Sequence, residues 1–151
     1  MCGIAGFFHY NTRPSDSDEK DLVTIRDQMT PRGPDQAGLW ISGDRRVGLA
    51  NRRLAIQDLT PAGNQPMIME GGLVSVGRGT AHPRDAFPDT RPSLAVVFNG
   101  EIYNYPQLRQ ELEKDGLVFR SHCDTEILLH LYDLEGEAFL NRLRGMFALA
   151  I

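Results

Sequence analysis

Leu94-Ala95-Val96-Val97-Phe98 is apolar without interruption, and a strand of that pattern has to be covered on both faces rather than one. Covering both faces takes further layers, and 151 residues suffice for one layered domain built around such a strand. The earlier sequence supplies material for those layers. Gly3 to Phe8 reads as a short buried strand, and Leu39-Trp40-Ile41 and Val47-Gly48-Leu49-Ala50 as two more around the turn residues Ser42-Gly43-Asp44. Leu22, Ile25 and Met29 recur at helical spacing behind acids and serines suited to a helix start, and Thr30-Pro31 stops that helix. From Thr60 to Pro92, Gly, Pro and polar residues surround one weak strand candidate, Leu73 to Val76, so the stretch reads as a surface excursion.

Beyond Phe98, Asn99-Gly100 interrupts the strand before Glu101-Ile102-Tyr103. Pro106 stands near a helix start, Leu108 and Leu112 share a face, and Gly116 closes that helix. Leu117-Val118-Phe119 reads as a short strand. Asp124 occupies an N-cap position ahead of the apolar face Ile127, Leu128, Leu131 and Leu134. A brief helix around Phe139, Leu140 and Leu143 ends at Gly145, and Met146 to Ile151 reads as a buried strand. Strands and helices that mix without regular alternation predict an α+β layered domain.

Composition removes several function classes. A formal net charge of -4 leaves no basic surface to follow phosphates, so nucleic acid is not an expected partner. No apolar run is long enough to span a bilayer, and the apolar start lacks the basic flank of a secretory signal. Cys2 and Cys123 form neither a disulfide framework nor a metal spacing, which makes a reducing cytoplasm the expected compartment. His122 beside Cys123, and His9 near Cys2, also lack ligand spacing, so no metal site is expected. Gly71-Gly72 and Gly77-Arg78-Gly79 are not followed by the residues of a phosphate loop.

The chemistry-bearing residues cluster in a few short motifs. Removal of Met1 makes Cys2 the first residue, with a thiol of reference pKa about 8.5 and an amine of about 7.7 to 8.0 on one skeleton. Such an amine can take the thiol proton, which makes Cys2 a self-sufficient nucleophile. Asn99 and Gly100 could aim a side-chain amide and a backbone N–H at one oxygen, as an oxyanion hole requires. On spacing alone, however, Asn-Gly between two strand-like runs favours a hairpin turn. Arg53 could present its planar fork to a carboxylate, or be a solvated charge at a strand end. Glu101 and Asp124 could take an ammonium group, although Asp124 is also explained as a helix cap. One cation and two anions bracketing an α-amino acid are the first indication of substrate class.

Cys2-Gly3-Ile4-Ala5-Gly6, Arg32-Gly33-Pro34-Asp35, Arg53 to Leu59, Asn99-Gly100-Glu101-Ile102-Tyr103-Asn104, Asp124-Thr125-Glu126 and Gly145-Met146-Phe147-Ala148, taken together and in order, resemble the glutaminase domain of glutamine-hydrolysing asparagine synthetases. That is a class II glutamine amidotransferase domain of the N-terminal nucleophile hydrolase type. The resemblance implies a four-layer αββα sandwich over residues 2–151, with Cys2 attacking the side-chain amide of glutamine to form a thioester. It also implies that Asn99 and Gly100 make the oxyanion hole and that Arg53 holds the glutamine carboxylate. Glu101 and Asp124 would hold its amino group, and Leu54, Ala55, Ile56 and Gln57 would line the site, with Asn99 and Gly100 beside the substrate as well.

Three features depart from the family's pattern. Asn51 stands where the family often has a histidine, and Glu70 to Pro92 is longer than usual. The chain also stops where such enzymes continue into further strands and an ATP-using synthetase domain, and it holds no Ser-Gly-Gly-x-Asp motif. The resemblance thus implies a sandwich truncated at its C-terminal end. It implies no cofactor for the glutaminase itself, ATP and Mg only for a synthetase domain in cis, aspartate as the default ammonia acceptor, and it is compatible with a homodimer. A non-catalytic glutamine-binding or interaction module is the competing reading, against which the intact set of Cys2, Arg53, Asn99, Gly100 and Asp124 argues.

Overall fold

Strand β1 (Gly3–Phe8) opens the fold, followed by helix α1 (Asp16–Gln28), in a computed structural model that describes residues 2–10, 15–76 and 93–151. The serines and acids at the start of α1 form a capping box: Ser17 N–H donates to the Ser15 hydroxyl, and Ser15 N–H donates to the Asp18 carboxylate. Strands β2 (Gln36–Ile41) and β3 (Val47–Arg53) make the expected hairpin, and β1 pairs antiparallel with the other side of β3. The first sheet therefore has the order β1-β3-β2.

The second sheet is built from β4 (Met67–Glu70), β5 (Leu73–Val76), β6 (Leu94–Ile102) and β7 (Gly145–Ala150), in the antiparallel order β5-β4-β6-β7. Helices α2 (Tyr105–Lys114) and α3 (Thr125–Glu135) complete the chain. Helix α1 packs on β1 and β3, the first sheet meets the second through β3 and β6, and α3 covers the far side of β4 and β6. The layers run helix, sheet, sheet, helix.

Strand periodicity divides the interior in two. Val96, Phe98 and Ile102 of β6, with Met67 and Met69 of β4, enter a core shared with Leu108, Leu112, Ile127, Leu128 and Leu131 of the helices. Ala95, Val97 and Ile68 face the other way, against Leu49, with Ile4 and Trp40 packed beside them. The both-faces burial expected of Leu94 to Phe98 thus holds for Ala95 through Phe98.

Several local expectations give way. Asn99-Gly100 is no hairpin, because β6 runs through it and Gly100 pairs with Phe147 of β7. Gly100 has φ 152°, and a Cβ there would lie 2.2 Å from the Met146 carbonyl oxygen and 2.5 Å from the Phe147 Cα. Close approach of the neighbouring strand, rather than a turn, is what calls for glycine. Leu117-Val118-Phe119 joins no sheet: Phe119 is held instead by its ring contacts with His130 and the Arg109 guanidinium, and Val118 is exposed. Leu134 is exposed because α3 surfaces in its last turn. Strand β7 forms where expected but is the sheet's edge, so Met146 stands 69% exposed rather than buried. Strand β4 was hidden in the polar composition after Thr60, and the remainder of that excursion, residues 77–92 with Gly77-Arg78-Gly79, lies outside the described residues.

Candidate active site

The pairing of β1 with β3 sets Gly3 opposite Arg52, which brings Cys2 to the point where β3 runs out into Leu54. Leu54 N–H donates to the Cys2 sulfur at 3.4 Å, and the thiol lies 3.7 Å from the Leu54 carbonyl. The Arg32-Gly33-Pro34-Asp35 motif braces this junction. Arg32 Nε donates to the Cys2 carbonyl at 3.2 Å, Arg52 Nε to the Gly33 carbonyl at 2.9 Å, and Ala55 N–H to Asp35 Oδ2 at 2.8 Å. A Cβ on Gly33 would fall 2.3 Å from the Arg52 carbonyl carbon, so the motif needs glycine to approach β3. The terminal-amine expectation rests on Met1, which lies outside the described residues.

Arg53 is 6% exposed, not a solvated strand-end charge. Its Nη1 donates to the Thr60 carbonyl at 3.3 Å and Asn64 Oδ1 at 3.0 Å, and its Nη2 donates to the Asp58 carbonyl. The 58–64 loop thereby wraps the guanidinium, and Gly63 lies close enough that a Cβ would meet Nη2 at 2.3 Å.

Asp124 begins α3 but makes no side-chain capping bond. Its own φ and ψ are helical, and its Oδ2 accepts from Ile102 N–H of β6 at 3.1 Å. The cap reading therefore fails, because a carboxylate at the first turn found a backbone donor on the neighbouring strand. Burial, reinforced by the nearby Glu101 charge, pushes the Asp124 carboxyl up to about 6 against the lowering effect of Ile102 N–H. Glu101 itself is exposed on β6. The loop ahead of Asp124 is held by buried Glu126, whose carboxylate accepts from Arg120 N–H at 2.8 Å and Ser121 N–H at 2.7 Å. Burial would raise the Glu126 carboxyl, but the His130 ring 3.8 Å away and the bonds from Ser121 and Arg120 outweigh it and hold it below the usual range.

Alternation along β6 puts Asn99 on the face of Ala95 and Val97, toward the first sheet. The Asn99 Oδ1, like the Asn51 Oδ1, is buried without a hydrogen-bond partner. A polar bridge crosses between the sheets just beside it. Asn51, fully buried, donates from Nδ2 to the Gly3 carbonyl and to Gln65 Oε1, both at 3.3 Å. Gln65 Oε1 also accepts from Phe98 N–H at 2.7 Å, and Gln65 Nε2 donates to Thr125 Oγ1 at 3.1 Å. The residue after Cys2 is thus linked through two side chains to the residue before Asn99.

Arg53, Leu54, Ile56, Gln57, Asp58, Gly63, Cys123, Asp124 and Thr125 line one cleft at the ends of β3 and α3. Of the expected site residues, Cys2 touches this cleft's wall at Leu54, while Ala55 spends its N–H on Asp35 and Asn99, Gly100 and Glu101 lie on β6. Asp58, Gly63, Cys123 and Thr125 line the cleft without belonging to the expected site residues. An Asp-x-Thr-Pro turn signal at Asp58 was the one clue available. Among the described residues no group of three or more His, Cys, Asp or Glu side chains stands ready to hold a metal, and no helix is long and apolar enough to cross a membrane.

A family model described as glutamine amidotransferase domain matches residues 1–80 and 83–151. The chain belongs to that family. Over its whole length it is 36% identical to asparagine synthetase [glutamine-hydrolyzing] 1 of Bacillus subtilis, covering 20% of that protein. It is likewise 34% identical to amidase chry2 of Gibberella zeae and 35% identical to a glutamine–fructose-6-phosphate aminotransferase [isomerizing] of Symbiobacterium thermophilum, covering 21% and 26% of them. The chain thus spans about a fifth to a quarter of these relatives. A solved glutamine phosphoribosylpyrophosphate (PRPP) amidotransferase from B. subtilis superposes with a TM-score of 0.70 over 99% of this chain and 34% of that one, at 19% identity. That likeness shows the fold: this amidotransferase domain shares the helix, sheet, sheet, helix layering of that structure.

Proposed function

We propose that residues 2–151, freed of Met1, hydrolyse glutamine to glutamate and ammonia within a longer amide-forming enzyme. What supports this most is a wrapped guanidinium and a buried carboxylate lining one cleft, Arg53 from the end of β3 and Asp124 from the start of α3, with the Cys2 thiol held against the lining residue Leu54. In this reading the Cys2 amine takes the thiol proton and the sulfur attacks the side-chain carbonyl carbon of glutamine. The developing oxyanion is met by the Asn99 side-chain amide and the Gly100 N–H. Collapse breaks the carbon–nitrogen bond, the amine returns its proton to the departing ammonia, and a thioester remains. Water, deprotonated by the same amine, then attacks the thioester, the carbon–sulfur bond breaks with its electron pair going to sulfur, the amine returns the proton to that thiolate, and glutamate leaves. Arg53 pairs with the substrate carboxylate, Asp124 and Glu101 with its ammonium, and Leu54 to Gln57 supply the side wall.

The ammonia would go to an ATP- and Mg-dependent synthetase domain in cis, with aspartate as the acceptor and the cytoplasm as the compartment. The glutaminase step itself would use no cofactor, and the assembly fits a homodimer. Release of glutamate from glutamine by the whole protein tests the reading. Protein with Cys2 at its free N-terminus is expected to be active, whereas Cys2→Ala and a form with an uncleaved N-terminal extension are expected to be inert, since an amide nitrogen has no basicity to lend. Substantial activity in the extended form would contradict the terminal-amine mechanism.

A further inference from the structure

Arg53 and Asp124 come from opposite parts of the fold, one from the end of β3 in the first sheet and the other from the start of α3 outside the second. An α-amino acid carries its carboxylate and ammonium on one carbon, so a site can grip both only if its own cation and anion are held at a fixed separation. The 54–64 loop that wraps Arg53 is poorly anchored by apolar contacts, with Ile56 and Leu59 72% and 78% exposed. By contrast, Gly63 is buried, and so is Asp58, at 4% exposed.

Its carboxylate reaches both walls of the cleft. Oδ1 accepts from Thr60 N–H at 2.8 Å and from the Thr60 hydroxyl at 2.6 Å, which shapes the loop around Arg53. Oδ2 accepts from His122 N–H at 2.8 Å, two residues before Asp124 and 64 residues away in sequence. The Asp58 carbonyl meanwhile accepts from Arg53 Nη2. Burial works against the charge on Asp58, but the bonds from Thr60 and His122 and the nearby Arg53 keep its carboxyl below the usual range, so it stays ionised in neutral solution.

We propose that Asp58 is a positioning residue which ties the Arg53 wall to the Asp124 wall and so sets the cleft for an α-amino acid rather than a simple carboxylic acid amide. It does not touch the reacting atoms. The inference rests on the glutaminase reading above, and the two fail separately.

The test compares kcat/KM for glutamine with that for glutaramate, which lacks the α-amino group, in the whole protein with a free Cys2. Asp58→Asn keeps the shape but turns an NH2 group toward either His122 N–H or the Thr60 donors, breaking one wall's bond. Its preference for glutamine is expected to fall about tenfold or more through a raised glutamine KM, with kcat within about threefold. Thr60→Val, which keeps the carboxylate and the His122 bond, is expected to hold a preference within about threefold of the parent. A purely structural role would lower the melting temperature of both variants and leave the preference of the folded fraction unchanged. An unchanged preference in folded Asp58→Asn overturns the proposal. Should Asp58→Asn not fold, amide hydrogen exchange on the parent decides. Saturating glutamate is expected to slow exchange at His122 and Thr60 together, and glutarate is not; equal exchange with both ligands overturns the proposal. A parent protein that hydrolyses no glutamine at all would instead remove the glutaminase reading.

Discussion

The face of β6 that turns toward α2 and α3 carries Val96, Phe98 and Ile102, whereas the face that turns toward the first sheet carries Ala95, Val97, Asn99 and Glu101. The helix-facing side is apolar, with Ile127, Leu128, Leu129 and Leu131 fully buried against it. The inter-sheet side holds a smaller apolar cluster and then becomes polar, through Asn51, Gln65 and the unpartnered Asn99 oxygen. A single strand thus separates stability from chemistry. Burying a large aliphatic side chain contributes about 1.5 to 3 kcal/mol, so the helix-facing side can carry the cost of polar groups buried on the other.

That division can be broken from either side. Asn99→Asp replaces an amide donor with a repelling carboxylate in nearly the same shape, and kcat for glutamine is expected to fall about 100 to 1,000-fold with a smaller change in KM. A parent-like kcat in purified Asn99→Asp would leave that residue without a part in the reaction. Leu128→Ala, on the opposite side, is expected to cost about 3 kcal/mol of unfolding free energy in denaturant titration, while kcat per folded molecule stays near the parent's. A large loss of kcat in that folded variant would mean the two faces are not separable.

The smallest effect sharpens the boundary at Asp124, whose carboxyl is raised to about 6 by burial. Below that pH the group is protonated and cannot pair with the substrate ammonium, so kcat/KM for glutamine should drop about tenfold per pH unit on the acid limb. Asp124→Asn should be lower throughout and lack that limb. The same shift works against the empty site: between about pH 4 and 6 the folded state holds a proton that the unfolded chain has released, so stability falls as pH rises through that window. Asp124→Asn should therefore be at least as stable as the parent at neutral pH without ligand, read by thermal melting.

Periodicity made β6 legible, and the order of short motifs made the family legible, because both are properties of neighbouring residues. The readings that failed were those in which a distant partner overruled a local rule. Asn99-Gly100 has hairpin chemistry, yet Phe147 of β7 pairs with Gly100 and keeps the strand straight. Asp124 has cap chemistry, yet Ile102 N–H of β6 claims its carboxylate. Asp58 gave no sign of a role across the cleft, since its partner His122 lies 64 residues away. Met67 to Met69 make a buried central strand that Gly- and Pro-rich flanks concealed.

Two free thiols near one cleft allow the most direct test. Cys2 is half-buried against Leu54, whereas Cys123 is buried and burial pushes its thiol up, away from the reactive thiolate. Incubation of the whole protein with a glutamine analogue bearing a diazoketone in place of the amide, followed by peptide mass analysis, reads which sulfur attacks. A single adduct on an N-terminal Cys2, prevented by excess glutamine and absent from Cys123, is the expected result. An adduct on Cys123, or an unmodified Cys2 in protein that still releases glutamate from glutamine, would contradict the assignment of Cys2 as the nucleophile.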